Sequence, residues 1–115
     1  MIHEITVENF RSLAKKTTLN LAVNKKAAEK NRGYTTTSFG ARVSCIHTII
    51  GGNASGKTTM LRALITLRGV LVSSFRWNPE HPLPVTAFAA TERSRNTPTS
   101  FSVTFEVGGT LYEYS

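Results

Sequence analysis

The eight residues Gly51-Gly52-Asn53-Ala54-Ser55-Gly56-Lys57-Thr58 constrain this chain more than any other stretch. They satisfy G-x-x-x-x-G-K-[ST], the pattern of a P-loop that wraps a polyphosphate. Their flanks matter as much. Val43 to Ile50 is a nearly continuous apolar run, which reads as a central, mostly parallel strand buried on both faces. After the loop, Met60, Leu64, Leu67 and Leu71 recur at helical spacing, with Leu61 and Ile65 widening the stripe. That predicts a helix over Lys57 to Phe75 with this stripe in the core. Arg62 and Arg68 fall on its polar side. Gly69 costs about 1 kcal/mol against alanine in mid-helix and predicts a bend or an early end.

The chemistry accounts for the loop's composition. Backbone N–H groups between Gly51 and Thr58 point inward as a nest and reach the β-phosphate from several sides. Gly51 and Gly56 allow backbone angles and a close approach that a Cβ would block. The loop runs into a helix N-terminus, whose unpaired N–H groups and dipole favour anions. Lys57, the candidate catalytic residue, places a point charge between the β- and γ-phosphates. Thr58 offers a hydroxyl to Mg²⁺, and Thr59 is placed to bond the α-phosphate.

Two other segments have a clear period. Residues 2–9 alternate, with Ile5 and Val7 opposite Glu4, Thr6 and Glu8, as a half-buried strand does. Thr17 to Val23 is a second strand, pairing with the first through a turn near Arg11 to Lys15. Phe101, Val103, Phe105 and Val107 alternate with Ser102, Thr104 and Glu106, and Gly108-Gly109 then leads into Thr110 to Tyr114. That predicts a hairpin with a primed two-residue turn.

Between these segments the signals are weaker. Residues 24–41 show neither period and read as a long exposed loop, with one helical turn at Lys25 to Lys30. Three prolines, Pro79, Pro82 and Pro84, hold Trp77 to Pro84 extended. Cys45 and His47 share one side of the apolar run, where packing or a local hydrogen bond accounts for each.

Charge is concentrated. Between Arg11 and Arg42 lie eight basic residues and one acid, Glu29, an excess equal to the net +7 of all 115 residues. Two readings stay open for the loop 24–42: a solvated segment facing an acidic surface, or a contact with the phosphates of nucleic acid. No aromatic residue is interleaved with its lysines to stack bases.

With 40% apolar and 18% charged residues, the composition is that of a single globular domain rather than a disordered chain. No apolar run reaches the roughly 18 residues that a membrane span needs. Glu4 and Glu8 near the start argue against a signal peptide. A single Cys45 suits a reducing cytoplasm.

Three segments together resemble a known group. Ile5-Thr-Val-Glu-Asn-Phe-Arg-Ser12 is similar to the opening strand of AAA-type ATPases of the ABC-like class, which contains SMC, RecF and OLD-type heads. Ile49 to Leu64 is similar to the group's P-loop and helix, and Pro84 to Tyr114 to its following β-subdomain. The nearest likeness is to AAA15/AAA21-type ATP-binding proteins, several of which act in anti-phage defence.

The resemblance implies an α/β fold: the N-terminal lobe of a P-loop NTPase, a mixed sheet with the P-loop helix and a β-hairpin subdomain. Its parts would be a strand pair (1–23), a basic loop (24–42), a strand, P-loop and helix (43–75), and a linker with the hairpin (76–115). It implies ATP and Mg²⁺ as ligands, bound by Gly51, Gly52, Asn53, Ala54, Ser55, Gly56, Lys57, Thr58 and Thr59. Arg11 would contact phosphate or ribose. Heads of this group associate with one another around the nucleotide. Their second carboxylate motif, signature motif and catalytic glutamate lie far downstream, so the chain reads as an N-terminal fragment or a truncated product. Thr58 stands where serine is commoner and keeps the hydroxyl.

Three alternatives compete. A nucleic-acid-binding fragment would use the basic loop without ATPase activity of its own. A transporter-type ATPase domain would carry a Gly-Glu turn where Gly40-Ala41-Arg42 stands. A small-molecule P-loop kinase would not place two strands before the P-loop strand.

Overall fold

The computed structural model describes residues 1–24, 33–78, 80, 82 and 85–115. In chain order the elements are β1 (Ile2–Glu8), β2 (Thr17–Asn20), β3 (Tyr34–Thr36), β4 (Arg42–Ser44), α1 (Lys57–Ser73), a 3₁₀ turn (Ser74–Arg76), α2 (Glu92–Arg95), β5 (Ser100–Val107) and β6 (Thr110–Tyr114). This is a mixed α/β chain. Residues 1–6, 18–50 and 102–115 form one compact unit, and residues 7–17 and 51–101 form another. The helical turn expected at Lys25 to Lys30 lies outside the described residues, as do Arg32 and, in the proline-rich stretch, Pro79, His81, Leu83 and Pro84.

The first unit holds most of a four-stranded sheet in the order β2-β1-β5-β6. The alternation of residues 2–9 explains β1: Ile5 and Val7 are buried while Glu8 faces solvent. Thr6 Oγ1 lies 2.9 Å from Thr18 Oγ1, and Leu21 N donates to His3 O at 2.9 Å. Partner numbers rise on one strand as they fall on the other, so β1 and β2 are antiparallel. Met1 and Glu106 exchange backbone bonds in both directions, as antiparallel neighbours do. β5 and β6 pair antiparallel from Val103↔Tyr114 to Val107↔Thr110. Gly108 and Gly109 have φ of 56° and 78°, and two positive values in a two-residue link make the primed turn expected from the glycine pair.

Several expectations need correction. The sheet expected to be mixed is antiparallel in its described pairings; short links join β1 to β2 and β5 to β6, and parallel pairs would require long crossovers there. The run Val43 to Ile50 is not a buried central strand. Only Arg42–Ser44 is strand, paired antiparallel with Tyr34–Thr36, so part of the expected loop is a hairpin arm. Ser44 Oγ donates to Ile46 O at 2.6 Å and lies 3.3 Å from Ile46 N. This local bonding competes with a ladder and ends the strand. Beyond it Ile46 and Ile50 are exposed, Ile50 at 88%. Cys45 and His47 are exposed too, with Cys45 Sγ 3.2 Å from Thr35 Oγ1.

The expected strand Thr17 to Val23 divides. Its first half pairs with β1, while Ala22 bridges to Val43 and Ser44 N donates to Leu21 O at 3.0 Å. Near the end of β5 the burial pattern inverts: Val107 is exposed and Glu106 is buried. Glu106 Oε1 accepts Ser38 N at 3.1 Å and Oε2 lies 3.4 Å from His3 Nε2. The Ser38 backbone bond, then the Ser38 hydroxyl, hold the Glu106 pKa below the usual 4.5 against the opposing effect of burial, with His3 adding to the lowering.

In the second unit, Val7, Phe10, Met60, Ala63 and Leu67 are buried. Full burial of the larger of these, Val7, Phe10, Met60 and Leu67, is worth about 1.5–3 kcal/mol each. The rings of Phe10 and Phe101 meet edge to face at 5.3 Å. α1 continues past Gly69 to Ser73, so no early end occurs there. The expected stripe is only partly right: Thr59, Met60, Ala63 and Leu67 are buried, while Leu61, Ile65 and Leu71 are exposed. At about 100° per residue, Leu61 and Ile65 sit well round from Met60 and Leu67. The described packing covers only the narrower arc.

Candidate functional site

The segment around Gly51 to Thr59 lies within the second unit together with the turn Asn9 to Leu13. In that turn Phe10 N donates to Leu13 O at 2.9 Å and Leu13 N returns to Phe10 O at 2.8 Å. Asn9 and Arg11 have φ of 52° and 50°, left-handed values that asparagine tolerates better than most residues. Leu13 then reaches the loop. A Cβ built on Gly56 would lie 3.0 Å from Leu13 Cδ2, at a φ of +88°. Both conformation and space therefore favour glycine at position 56. At Gly51 the φ is ordinary, and a Cβ there would meet Ser55 Oγ at 2.8 Å, a hydroxyl that would have to rotate away. The loop's other left-handed residue is Ala54, at φ 62°, a position that carries no glycine to mark it.

Gly56 is the N-cap of α1, no side chain caps the helix, and its first turn holds no acidic residue. The first helical bond runs from Met60 N to Gly56 O at 2.9 Å. The amides of Lys57, Thr58 and Thr59 thus precede the hydrogen-bonded ladder, as at any helix start. The 17-residue helix aims the positive end of its dipole at the same place.

Lys57 Nζ folds back over the loop, donating to Gly51 O at 2.7 Å and to Gly52 O, with Ser55 Oγ at 3.4 Å. An ammonium held over the loop beside uncapped helix amides is a donor set for an anion. Thr58 is exposed, and its hydroxyl has no hydrogen-bond partner among the described residues. Thr59 is buried and its Oγ1 bonds Ser12 Oγ, so it fastens the turn to the helix. Asn53 and Ser55 are exposed loop positions, and Ser55 N donates to Gly52 O at 3.3 Å. Arg11 is exposed, its guanidinium 5.6 Å from the Phe10 ring centroid and its backbone N bonded to Thr86 O at 2.8 Å.

The donors present suit a polyphosphate, and one hydroxyl beside them suits a hard divalent cation that keeps most of its waters. No group of three metal-ligating side chains exists among the described residues. A sequence profile for the AAA ATPase domain family, AAA_15, matches residues 1–104.

The chain belongs to the AAA ATPase domain family. No curated protein and no solved structure matches it. Membership points to a nucleotide-binding, ATPase-type function. Among the described residues no helix of this AAA-family chain is long and apolar enough to cross a membrane. One residue at the site has no chemical signature in the sequence: Leu13, whose role is to fill the space that Gly56 leaves. Asn9 belongs to the Ile5–Ser12 segment that carries the resemblance; it is 3% exposed and bonds the backbone at Ser94 and Thr97 through its side chain, a tethering role that the segment does not announce.

Proposed function

We propose that the Gly51–Thr59 segment binds MgATP and that the chain contributes the nucleotide loop of an ATPase head. The observation that carries this is the meeting of Lys57 Nζ, the loop backbone and the uncapped start of α1. Lys57 would release its carbonyl contacts and turn to the β- and γ-phosphates, a more highly charged partner. The amides from Gly51 to Thr59 would donate to phosphate oxygens, and the Thr58 hydroxyl would join the shell of Mg²⁺. The cation would supply neutralisation of developing phosphate charge. Arg11, exposed beside the Ser12–Thr59 bond, would reach phosphate or ribose.

The family match supports nucleotide binding. The segment resemblances support the finer reading: an ABC-like head of the SMC, RecF and OLD-type group, cytoplasmic, associating with a second head around ATP. A role in anti-phage defence or on DNA follows from that resemblance alone. Calorimetric titration of the complete protein with MgATP tests the reading. Saturable binding that Lys57→Ala abolishes is the expected result; unchanged affinity in Lys57→Ala would end it.

A further inference from the structure

A cleft of about 340 Å³ opens in the second unit away from the loop residues, lined by Glu8, Asn9, Lys15, Lys16, Arg93 and Thr97 among others. Three cations face one carboxylate there. Among the described residues the only ion pair is His3–Glu106, so Lys15, Lys16 and Arg93 form no close pair with a described carboxylate, and Glu8 offsets only one of the three charges. Packing like charges together with too little counter-charge is unfavourable, and a cleft that does so is suited to an anion.

Hydrogen bonds fix the walls. Asn9 Nδ2 donates to Ser94 O at 2.8 Å and to Thr97 O at 2.6 Å, and Thr97 Oγ1 donates to Arg93 O at 2.7 Å. The Arg93 backbone is thereby tied to the end of β1. On the other side, Thr17 Oγ1 donates to Lys15 O at 3.0 Å. The charged tips stay in water while their backbones are held, an arrangement that places charge at low ordering cost.

We propose that this cleft is a second phosphate-binding site, independent of the nucleotide loop. Its excess of two positive charges matches one phosphate dianion or two successive phosphodiesters. Arg93 offers a planar fork to phosphate oxygens, and the two lysines act as point charges. No aromatic side chain lines the cleft, so no base can stack and recognition is independent of sequence. The phosphate comes either from a polynucleotide backbone or from a free phosphate compound, and the two sources separate by experiment.

Binding is measured in the Lys57→Ala background, so that the nucleotide loop contributes neither signal nor ambiguity. One arm follows the anisotropy of a labelled oligothymidine across a salt series; the other titrates inorganic pyrophosphate calorimetrically. With a polynucleotide ligand, the Lys15→Ala/Arg93→Ala pair weakens oligonucleotide binding on the order of tenfold and lowers the salt slope by about 1.4, roughly 0.7 for each phosphate no longer neutralised. Glu8→Gln tightens it, and Lys15→Arg/Arg93→Lys keeps the slope, which separates charge from folding. With a free phosphate ligand, the same pattern appears for pyrophosphate alone. Affinities for both ligands that ignore the alanine pair, or a Glu8→Gln variant that binds more weakly, would overturn the proposal.

Discussion

Replacing Asn9 by alanine probes the most heavily bonded side chain of the second unit. The residue is 3% exposed. Its Nδ2 donates to Ser94 O and Thr97 O at 2.8 and 2.6 Å, and its Oδ1 accepts Phe88 N at 3.2 Å. Alanine removes these three bonds at once, along with a long contact from Nδ2 to Pro98 O at 3.5 Å. Each bond removed costs about 1 kcal/mol net, more where the abandoned group stays buried. The backbone adds to this: φ is 52°, and a left-handed alanine costs roughly 1–2 kcal/mol. The sum is about 4–5 kcal/mol, a large share of the roughly 5–15 kcal/mol that holds a domain folded. With a urea m-value of about 1.5 kcal/mol per molar, the midpoint should fall by about 3 M. Asn9→Gly separates the two causes, because it accepts the backbone angle and loses only the bonds. It should recover about 1 kcal/mol relative to alanine. Urea unfolding followed by circular dichroism is the assay. A midpoint shift under about 0.5 M for Asn9→Ala at unchanged m would refute the reasoning, since the bonds would then contribute almost nothing.

Three further outcomes are expected. Glu106 has a folded-state pKa below its ordinary 4.5, so its contribution is complete above about pH 4.5 and is lost as pH falls through the folded value. Glu106→Gln should therefore flatten the acid limb of a stability-against-pH curve; an unchanged limb would count against the Ser38 bond. Gly56→Ala forces a Cβ at φ +88° to within 3.0 Å of Leu13 Cδ2 and should destabilise by about 1–2 kcal/mol, with Leu13→Ala in the same chain relieving part of the loss. Ser12→Ala removes the Ser12–Thr59 bond and should cost about 1 kcal/mol in urea unfolding, while Ser12→Thr keeps most of the stability.

What was legible from the residues divides by the range of the interactions. β1, α1 and the Gly108-Gly109 turn are written in local period and backbone preference, and each appears near its expected place. The apolar run Val43 to Ile50 misled because hydrophobicity says that a segment wants partners, not that it has them. The Ser44–Ile46 bonds end the strand after three residues. Tyr34–Thr36 went unread because three residues carry too little pattern to betray a strand. The burial of Glu106 depends on Ser38, 68 positions away, and no window of sequence contains both. At the site, the glycines and Lys57 were plain in the motif. Leu13 beneath Gly56 was not, because packing leaves no fixed spacing, and Asn9, though part of the Ile5–Ser12 segment, gave no sign that it tethers the backbone at Ser94 and Thr97.

Nucleotide binding here requires that loop amides and the start of α1 close around a phosphate group. A ¹H–¹⁵N spectrum of the protein with MgATP added reads those amides one by one. The largest downfield shifts should fall at Gly52 to Thr59 and be absent in Lys57→Ala. Saturation with shifts confined to residues outside 51–59, or identical shifts in Lys57→Ala, would be incompatible with such a cradle.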